Sequence, residues 1–415
     1  MLKKLLRHAL RTLLLIHTAH SFAADESFVI HAARLFDGNS LKTNTSVLIE
    51  NGKITQIASR DSFKDTKAQV LDLGDATLLP AFIELHAHLT YQHIPADVVL
   101  QHGIGTLRDV GGNVHTPVGG DGQLRVLSSG LIITADNGYP IPNMGANNIA
   151  IPVSNEAQTR KAVQDAIAGG AVIIKIALEP GNEYGAPWNA GHHHGHQEAH
   201  SETPHDKHAP HQPHGKHQAP AHDKPATMPL LSENIVKAVV DEAHKLGRKV
   251  TAHVAENQGV TIALNAGVDE WAHTPCDVIH EDLLKQAVKQ QVTMISTLDT
   301  LSKCSGVTEN VRTFVKLGGK LLYGSEVAHP DIPWGIDAQE LNLMMHYAQL
   351  SPLEVLQSAT AKAGQYLNLP VGTIQQGVTA DLIAIDGDAT KNFKPLEYPK
   401  LVMSGGKIIV NRFTH

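Results

Sequence analysis

His86 and His88 lie two residues apart in the segment LLPAFIELHAHLT, and together they could bind a metal ion. The apolar residues before them predict a buried β-strand, in which side chains two positions apart point to the same face. Neutral imidazole nitrogens are common ligands of zinc and related cations. The spacing therefore favours a metal site at the end of this strand, although two histidines can also share a strand face by chance.

Lys175 interrupts AVIIKIA, which is otherwise a continuous apolar run. Burial of an ammonium group is costly, so its pKa should fall and the neutral amine should become available. Such an amine can react with carbon dioxide to form a carbamate, an anion that can bridge two cations. The alternative is a lysine whose side chain reaches solvent from the end of a strand.

Three more polar residues accompany later apolar runs. His253 lies in RKVTAHV, His273 ends VDEWAH, and Glu326 follows KLLYGS. Taken singly, each has a structural alternative, as a hydrogen-bonded core histidine or a solvent-facing carboxylate. Taken with the residues above, they put candidate ligands at five different strands, which is much less expected by chance than any one of them.

Parallel strands that alternate with helices are the elements that must position these residues. This alternation predicts an α/β fold, a (β/α)₈ TIM barrel, whose active site would lie at the carboxyl ends of the strands. Helical patterns separate about eight short apolar runs, which are FIELHAH, GTLRDV, LIITA, AVIIKIA, RKVTAHV, VDEWAH, QVTMIST and KLLYGS.

Residues 25–80 and 371–415 have a different pattern, with short strand-like runs joined by turns. Asn51 and Gly52, between SVLIE and KITQIA, give a clear hairpin signal. We expect these two segments to form one small β-sandwich domain built from both chain ends, with the barrel over residues 81–370.

The composition excludes several classes of protein. The 415 residues carry a formal net charge of -7, so the whole chain has no basic field that would hold nucleic acid. Two cysteines, Cys276 and Cys304, are too few for a disulfide scaffold, and a disulfide between them stays open. The 27 histidines exceed ordinary usage and point to metal.

Residues 1–24 predict a secretory signal peptide, because basic residues precede a short apolar run that ends in small residues. An N-terminal amphipathic helix is the alternative. This run is too short for a membrane span, and no other run is long enough. We therefore expect a periplasmic or secreted protein in an oxidising compartment.

Residues 181–229 form a histidine-rich segment, in which eleven histidines lie among proline, glycine and small polar residues. This composition predicts a disordered insertion rather than a domain. A flexible tract can supply several imidazoles at once, so we expect the segment to capture metal ions. A solvated linker in a surface loop is the alternative.

These motifs, with GTLRDVGG and GTIQQGVTADLIAIDG, resemble the amidohydrolase superfamily of metal-dependent hydrolases over most of the chain. The nearest likeness is to its imidazolonepropionase-like and Xaa-Pro-dipeptidase-like members. The resemblance implies two divalent metal ions, expected to be zinc, bridged by a carboxylated lysine. It assigns metal binding to six residues, of which the lysine is the bridge and the glutamate is also catalytic: His86, His88, Lys175, His253, His273 and Glu326.

The implied reaction is hydrolysis of a C–N amide bond in a small substrate, such as a dipeptide or an N-acyl compound, by attack of a metal-bound hydroxide. A catalytically degenerate protein that binds or buffers metal through its histidine-rich segment is the alternative. Hydrolysis of a lactone or cyclic amide also stays open, whereas a one-metal deaminase would not need a bridging Lys175. Self-association into a homo-oligomer is open as well.

Several positions depart from the family pattern. Ala81 and Glu84 replace the usual glycine and aspartate before the histidines. Glu326 is one methylene longer than the usual aspartate, so its carboxylate must arrive by another rotamer or from a shifted backbone. Because catalysis tolerates little misplacement, this change bears on proton transfer.

Three further residues are candidates for substrate contact. The loop after the third strand lacks the Gly-Gly-His segment of the nearest members, and Tyr139 and Asn143 are possible replacements. Arg108, in GTLRDVGG, could bind a substrate carboxylate. The interpretation we prefer is a structural pair with Asp109 or with a neighbouring strand.

Overall fold

The computed structural model describes residues 27–145, 149–181, 185–186, 227–327 and 329–413. The predicted signal peptide and residues 187–226 of the histidine-rich segment lie outside these ranges. The strands are β1 (Phe28–His31), β2 (Arg34–Phe36), β3 (Leu41–Thr43), β4 (Ser46–Glu50), β5 (Lys53–Ala58), β6 (Gln69–Asp72), β7 (Ala76–Pro80), β8 (Phe82–Ala87), β9 (Ile104–Asp109), β10 (Arg125–Ser128), β11 (Ile132–Thr134), β12 (Ala150–Pro152), β13 (Ile173–Leu178), β14 (Lys249–Val254), β15 (Glu270–Trp271), β16 (Thr293–Ile295), β17 (Lys320–Leu322), β18 (Leu382–Asp386), β19 (Leu401–Ser404) and β20 (Lys407–Asn411).

The helices are α1 (Leu89–Gln92), α2 (Ala96–Gln101), α3 (Ile141–Met144), α4 (Glu156–Ala168), α5 (Glu233–Lys245), α6 (Asn257–Ala266), α7 (Glu281–Lys289), α8 (Val307–Lys316), α9 (Ala338–Tyr347), α10 (Pro352–Ser358) and α11 (Ala361–Leu367). Two short 3₁₀ helices span Arg60–Phe63 and Lys394–Glu397. In α5, Val236, Val239 and Ala243 are buried on one face, as expected of an amphipathic helix against a sheet.

Strands β8 to β17 form two sheets in which every pair is parallel. Their orders are β10-β9-β8 and β12-β11-β13-β14-β15-β16-β17. Each of the eight predicted runs contains one of these strands, and β10 and β12 are additions that the sequence did not predict. The parallel strands and their intervening helices confirm the α/β class, while closure of the strands into one barrel stays a prediction.

Backbone contacts connect the two parallel sheets at both sides. Val172 N donates to Ser128 O at 2.9 Å, on the side of β10 and β13. On the other side, Ala87 pairs in parallel with Val327, and His88 N donates to Val327 O at 3.0 Å. The end of β8 therefore lies beside the segment that follows β17.

A second unit contains strands from both ends of the described chain. Its sheets have the orders β5-β4-β1-β6 and β20-β19-β18-β7-β2-β3, and β7 pairs antiparallel with β18. Ile30, Val47 and Leu382 are among the buried residues of their shared core. Asn51 and Gly52 have positive φ angles of 53° and 74°, as a tight turn between β4 and β5 requires.

Cys276 and Cys304 form a disulfide between the loops that follow β15 and β16. Cys276 lies three residues after His273, so the bond joins two loops at the carboxyl ends of the parallel strands. Among the described helices, none combines the length and apolarity that crossing a membrane requires.

Candidate metal centre

The predicted metal ligands come together at the carboxyl ends of the parallel strands. The ring centres of His86 and His273 are 4.3 Å apart, and those of His253 and His273 are 4.6 Å apart. The ring centres of His86 and His88 are 5.4 Å apart. Lys175 Nζ is 3.1 Å from His86 Nε2. Residues from four strands, β8, β13, β14 and the end of β15, thus meet in one cluster.

Glu326 lies between two of these histidines. Its Oε1 is 3.9 Å from His88 Nε2, and its Oε2 is 3.9 Å from His273 Nδ1. The backbone φ of Glu326 is 66°, in the left-handed region that residues other than glycine rarely adopt. Glu326 therefore reaches the cluster from a backbone in an unusual conformation. Such strained conformations persist where the surrounding structure determines them, often at functional sites.

Glu84 connects the backbone around Glu326 to the first pair of histidines. It accepts hydrogen bonds from His86 N at 2.7 Å, from Ser325 N at 3.0 Å and from Ser325 Oγ at 2.9 Å. Burial raises the pKa of Glu84 to about 8, and the hydrogen bonds from His86 and Ser325 oppose this rise. The buried carboxyl group therefore holds the end of β8 against the segment after β17.

His86 is held in one tautomer. Its Nδ1 is 2.8 Å from Ala272 O, and Nδ1 must carry the proton because a carbonyl oxygen only accepts. Nε2 then has the lone pair, which faces Lys175. Burial, reinforced by the charges of Lys175 and His273, holds the pKa of His86 well below its usual value. The imidazole is therefore neutral and able to bind a cation.

Lys175 is 1% exposed, so its amine does not reach solvent as the structural alternative required. Burial lowers its pKa to about 7, with Arg108 acting in the same direction and Glu326 opposing it. Burial also raises the pKa of Glu326, and the Lys175 ammonium opposes that rise. A neutral amine is accessible near neutral pH, as formation of a carbamate requires.

The cluster fits a divalent metal ion. Glu326 Oε2 is buried and has no hydrogen-bond partner among the described residues, a costly state that a bound cation would relieve. Ligand atoms of His86, His273 and Glu326 all lie within 4.8 Å of one another. Imidazole nitrogen and carboxylate oxygen are also the ligands that zinc accepts.

Glu179 belongs to the site and was missed in the sequence. Its Oε2 accepts a hydrogen bond from His253 Nε2 at 2.9 Å, and both side chains are buried. The proton on Nε2 makes Nδ1 the nitrogen of His253 that carries the lone pair, an orientation typical of a metal-binding histidine held by a carboxylate. The available signal was position, since Glu179 follows Lys175 by four residues at the end of the same apolar run.

The two predicted substrate contacts in the loop after the third predicted strand, Tyr139 and Asn143, lie in different surroundings. The Tyr139 ring centre is 4.7 Å from that of His253, so Tyr139 lies at the cluster. Burial, with the charges of Glu326 and Glu179 adding to it, raises the pKa of Tyr139 and keeps the phenol neutral. Asn143 is exposed on α3, and its role as a substrate contact stays a prediction.

Arg108 is bound inside the protein. Its two terminal nitrogens donate to the carboxylate of Glu270 at 3.0 and 2.6 Å, and its Nε donates to Leu85 O at 2.8 Å. This pair spans from β9 to β15, and Asp109 instead accepts from Thr90. The geometry favours the structural alternative for Arg108 over contact with a substrate carboxylate.

Residues 77–409 match a sequence model described as the amidohydrolase family. Ochratoxinase of Aspergillus niger is 26% identical to this chain over 198 residues, which cover 42% of this chain and 40% of that protein. The chain thus aligns with less than half the length of this curated relative.

Solved structures share the fold along nearly the whole chain. Ochratoxinase of A. niger has a TM-score of 0.69 at 18% identity, over 93% of this chain and 96% of that one. A putative prolidase from Bifidobacterium longum has a TM-score of 0.70 at 20% identity, over 92% of this chain and 94% of that one. A Xaa-Pro dipeptidase with bound methionine has a TM-score of 0.69 at 19% identity, over 92% of this chain and 99% of that one. These likenesses imply a TIM barrel with an accessory domain, which the parallel sheets fit.

Replacement of Glu179 by glutamine should weaken metal binding by about 10- to 100-fold, because His253 loses the anionic partner that fixes its orientation. Affinity would be measured by competition with a chromogenic chelator. The background is a linker variant, in which a Gly/Ser linker of equal length replaces residues 187–226. Glu256→Gln is the matched control, since the hydrogen bonds that Glu256 accepts within the described residues come from the backbone of Gln258 and Gly259. Equal affinities in the two variants would contradict a positioning role for Glu179.

Replacement of Arg108 by methionine should lower the free energy of unfolding by about 3–5 kcal/mol, because it leaves Glu270 buried without its partner. Urea unfolding measures this loss. The double variant Arg108→Met/Glu270→Leu should recover most of it, since neither charge of the pair is then left buried without its partner. If the free energy of unfolding of Arg108→Met lies within about 1 kcal/mol of that of the unsubstituted protein, the structural pair is contradicted.

Proposed function

The chain belongs to the amidohydrolase family, as its motifs predicted, and on this premise we propose that it cleaves a C–N amide bond of a small substrate. The observation that carries the proposal is the buried cluster in which His86, His273 and Glu326 lie together and Lys175 contacts His86. A cluster of this composition at the carboxyl ends of parallel strands suits metal-assisted hydrolysis.

We propose two divalent metal ions, zinc being the expected metal, with a carboxylated Lys175 between them. His86 and His88 would bind one ion, and His253 and His273 would bind the other. The lowered pKa of Lys175 and its place against His86 support the carbamate. When bound, the ions would activate a water molecule and polarise the amide carbonyl.

The protein groups would orient the reactants and move the proton. Glu326, which lies 3.9 Å from both His88 and His273, would take a proton at its carboxylate and pass it to the leaving amine. Glu84 would keep Glu326 in place through Ser325. Tyr139 lies against His253 and would form part of the wall that contacts substrate.

The proposed substrate class is a dipeptide or an N-acyl compound. One neighbour in fold is named as a Xaa-Pro dipeptidase and another as a putative prolidase, and these names support an amide of this size.

We propose that the histidine-rich segment captures metal ions for this centre. Its eleven histidines provide many imidazoles. Pro180, which directly precedes the segment, accepts a hydrogen bond at its carbonyl oxygen from Met228 N, near the end of the segment, at 2.7 Å. Pro180 directly follows Glu179, which binds His253, so both ends lie beside a proposed metal ligand.

We also propose export to the periplasm or the medium. The N-terminal pattern supports it, and the disulfide between Cys276 and Cys304 suits an oxidising compartment. The intact mass of the exported protein tests this proposal. It should lack residues 1–24, whereas a mass that includes them would contradict cleavage of a signal peptide.

Elemental analysis of the linker variant should find about two metal ions per chain, because its centre is intact and the histidine-rich segment cannot add to the count. Lys175→Ala in the same background should reduce this number below about one and abolish turnover, since the bridge between the ions is lost. Lys161→Ala is the matched control, because Lys161 is exposed on α4 and pairs with Asp165. The unmodified chain should bind more than about two ions per chain through its added imidazoles.

Turnover would be followed by release of free amine from a panel of dipeptides and N-acyl amino acids. Cleavage by the linker variant and by Lys161→Ala, but not by Lys175→Ala, is the expected result. A fully loaded protein that cleaves nothing in the panel would support the metal-binding alternative. Unchanged turnover in Lys175→Ala would contradict the bridging role.

A further inference from the structure

A cavity lies at the amino-terminal end of the parallel strands, opposite the candidate metal centre. Its volume is about 520 Å³, within the range of small-molecule sites. Its lining includes Arg125, Ile173 and Lys249, the first residues of β10, β13 and β14. Since His253 is four residues beyond Lys249 on β14, roughly 13 Å separates this amino-terminal cavity from the metal centre.

The amino-terminal cavity carries excess positive charge. Among its described lining residues, four are cationic and none is acidic. Glu270 neutralises Arg108, and Asp381 neutralises Arg125 at 3.1 Å. The other two cationic residues are Arg248 and Lys249. Among the described residues, no carboxylate oxygen lies within 4.0 Å of their side-chain nitrogens.

Lys249 lies at the edge of this cavity, and its ammonium group contacts an aromatic ring. Its Nζ is 3.8 Å from the centre of the Tyr366 ring, a cation–π arrangement. Burial lowers the pKa of Lys249; the carboxylates of Glu270 and Asp269 oppose this lowering, whereas the charge of Lys320 adds to it. An anion that paired with Lys249 would offset the cost of burying its ammonium group.

The rest of the lining is mainly apolar. Hydrocarbon side chains from β10, from the start of β13 and from the end of α11 form much of it: Leu127, Val172, Ile173, Leu367 and Leu369. This composition does not resemble the cradle of backbone N–H groups that binds phosphate. It matches instead a ligand with one anionic group and an apolar body.

We propose that the amino-terminal cavity is a binding site for a monocarboxylate with an apolar body. The carboxylate would lie against Lys249 and Arg248, and the hydrocarbon part would contact Leu127 and Ile173. The site is independent of the proposed hydrolysis, because none of its lining residues belongs to the metal centre.

Isothermal titration of the full-length protein with octanoate and with 3-phenylpropanoate tests the proposal. Lys249→Gln should weaken binding about tenfold or more, since a hydrogen bond to a charged group is lost, and Lys249→Arg should retain it. Octanamide should bind correspondingly less well than octanoate. Lys161→Gln is the matched control, because Lys161 is an exposed lysine on α4 that already pairs with Asp165.

A carboxylate could also bind at the metal centre, so the same titrations would be run on His88→Ala. Binding that persists in His88→Ala and falls in Lys249→Gln supports the amino-terminal cavity. Binding that is lost in His88→Ala and unchanged in Lys249→Gln would overturn the proposal. No heat of binding from either carboxylate would overturn it as well. The circular dichroism of each variant checks that it is folded.

Discussion

The buried carboxyl group of Glu84 is the contact on which the geometry of the metal centre depends. It receives hydrogen bonds from His86 N and from both the backbone and the hydroxyl of Ser325. His86 is two residues from Glu84 in sequence, whereas Ser325 is 241 residues away. The contact therefore joins β8, the first parallel strand, to the segment after β17, the last. His86 and His88 follow Glu84 in the chain, and Glu326 follows Ser325. The contact between Glu84 and Ser325 therefore determines how far these histidines lie from Glu326.

The buried charges near Lys175 offset one another. Arg108 and Glu270 form a buried pair, and they act on the pKa of Lys175 in opposite directions. The pair therefore supplies little net charge to the metal centre, and burial remains the main reason why the Lys175 amine is accessible in its neutral form. A lone Arg108 in the same place would repel the cations that the histidines are suited to bind.

The sequence predicted the parts of the site that periodicity encodes. The spacing of His86 and His88 and the apolar surroundings of Lys175 are local signals, and the parallel strands bring both to the same end. The Arg108–Glu270 pair joins residues 162 apart, which no local pattern could match. Glu179 was missed for a similar reason, because its partner His253 lies 74 residues away, beyond the histidine-rich segment.

The two acidic departures from the family pattern meet at one place. Glu84 and Glu326 each replace an aspartate that the resemblance leads one to expect, and Ser325 connects them, since it binds Glu84 and precedes Glu326. Glu326 has a left-handed φ of 66°, and its two carboxylate oxygens lie 3.9 Å from His88 Nε2 and from His273 Nδ1. Because Ser325 joins the two glutamates, the position of the Glu326 carboxylate depends on Glu84 as well as on Glu326 itself.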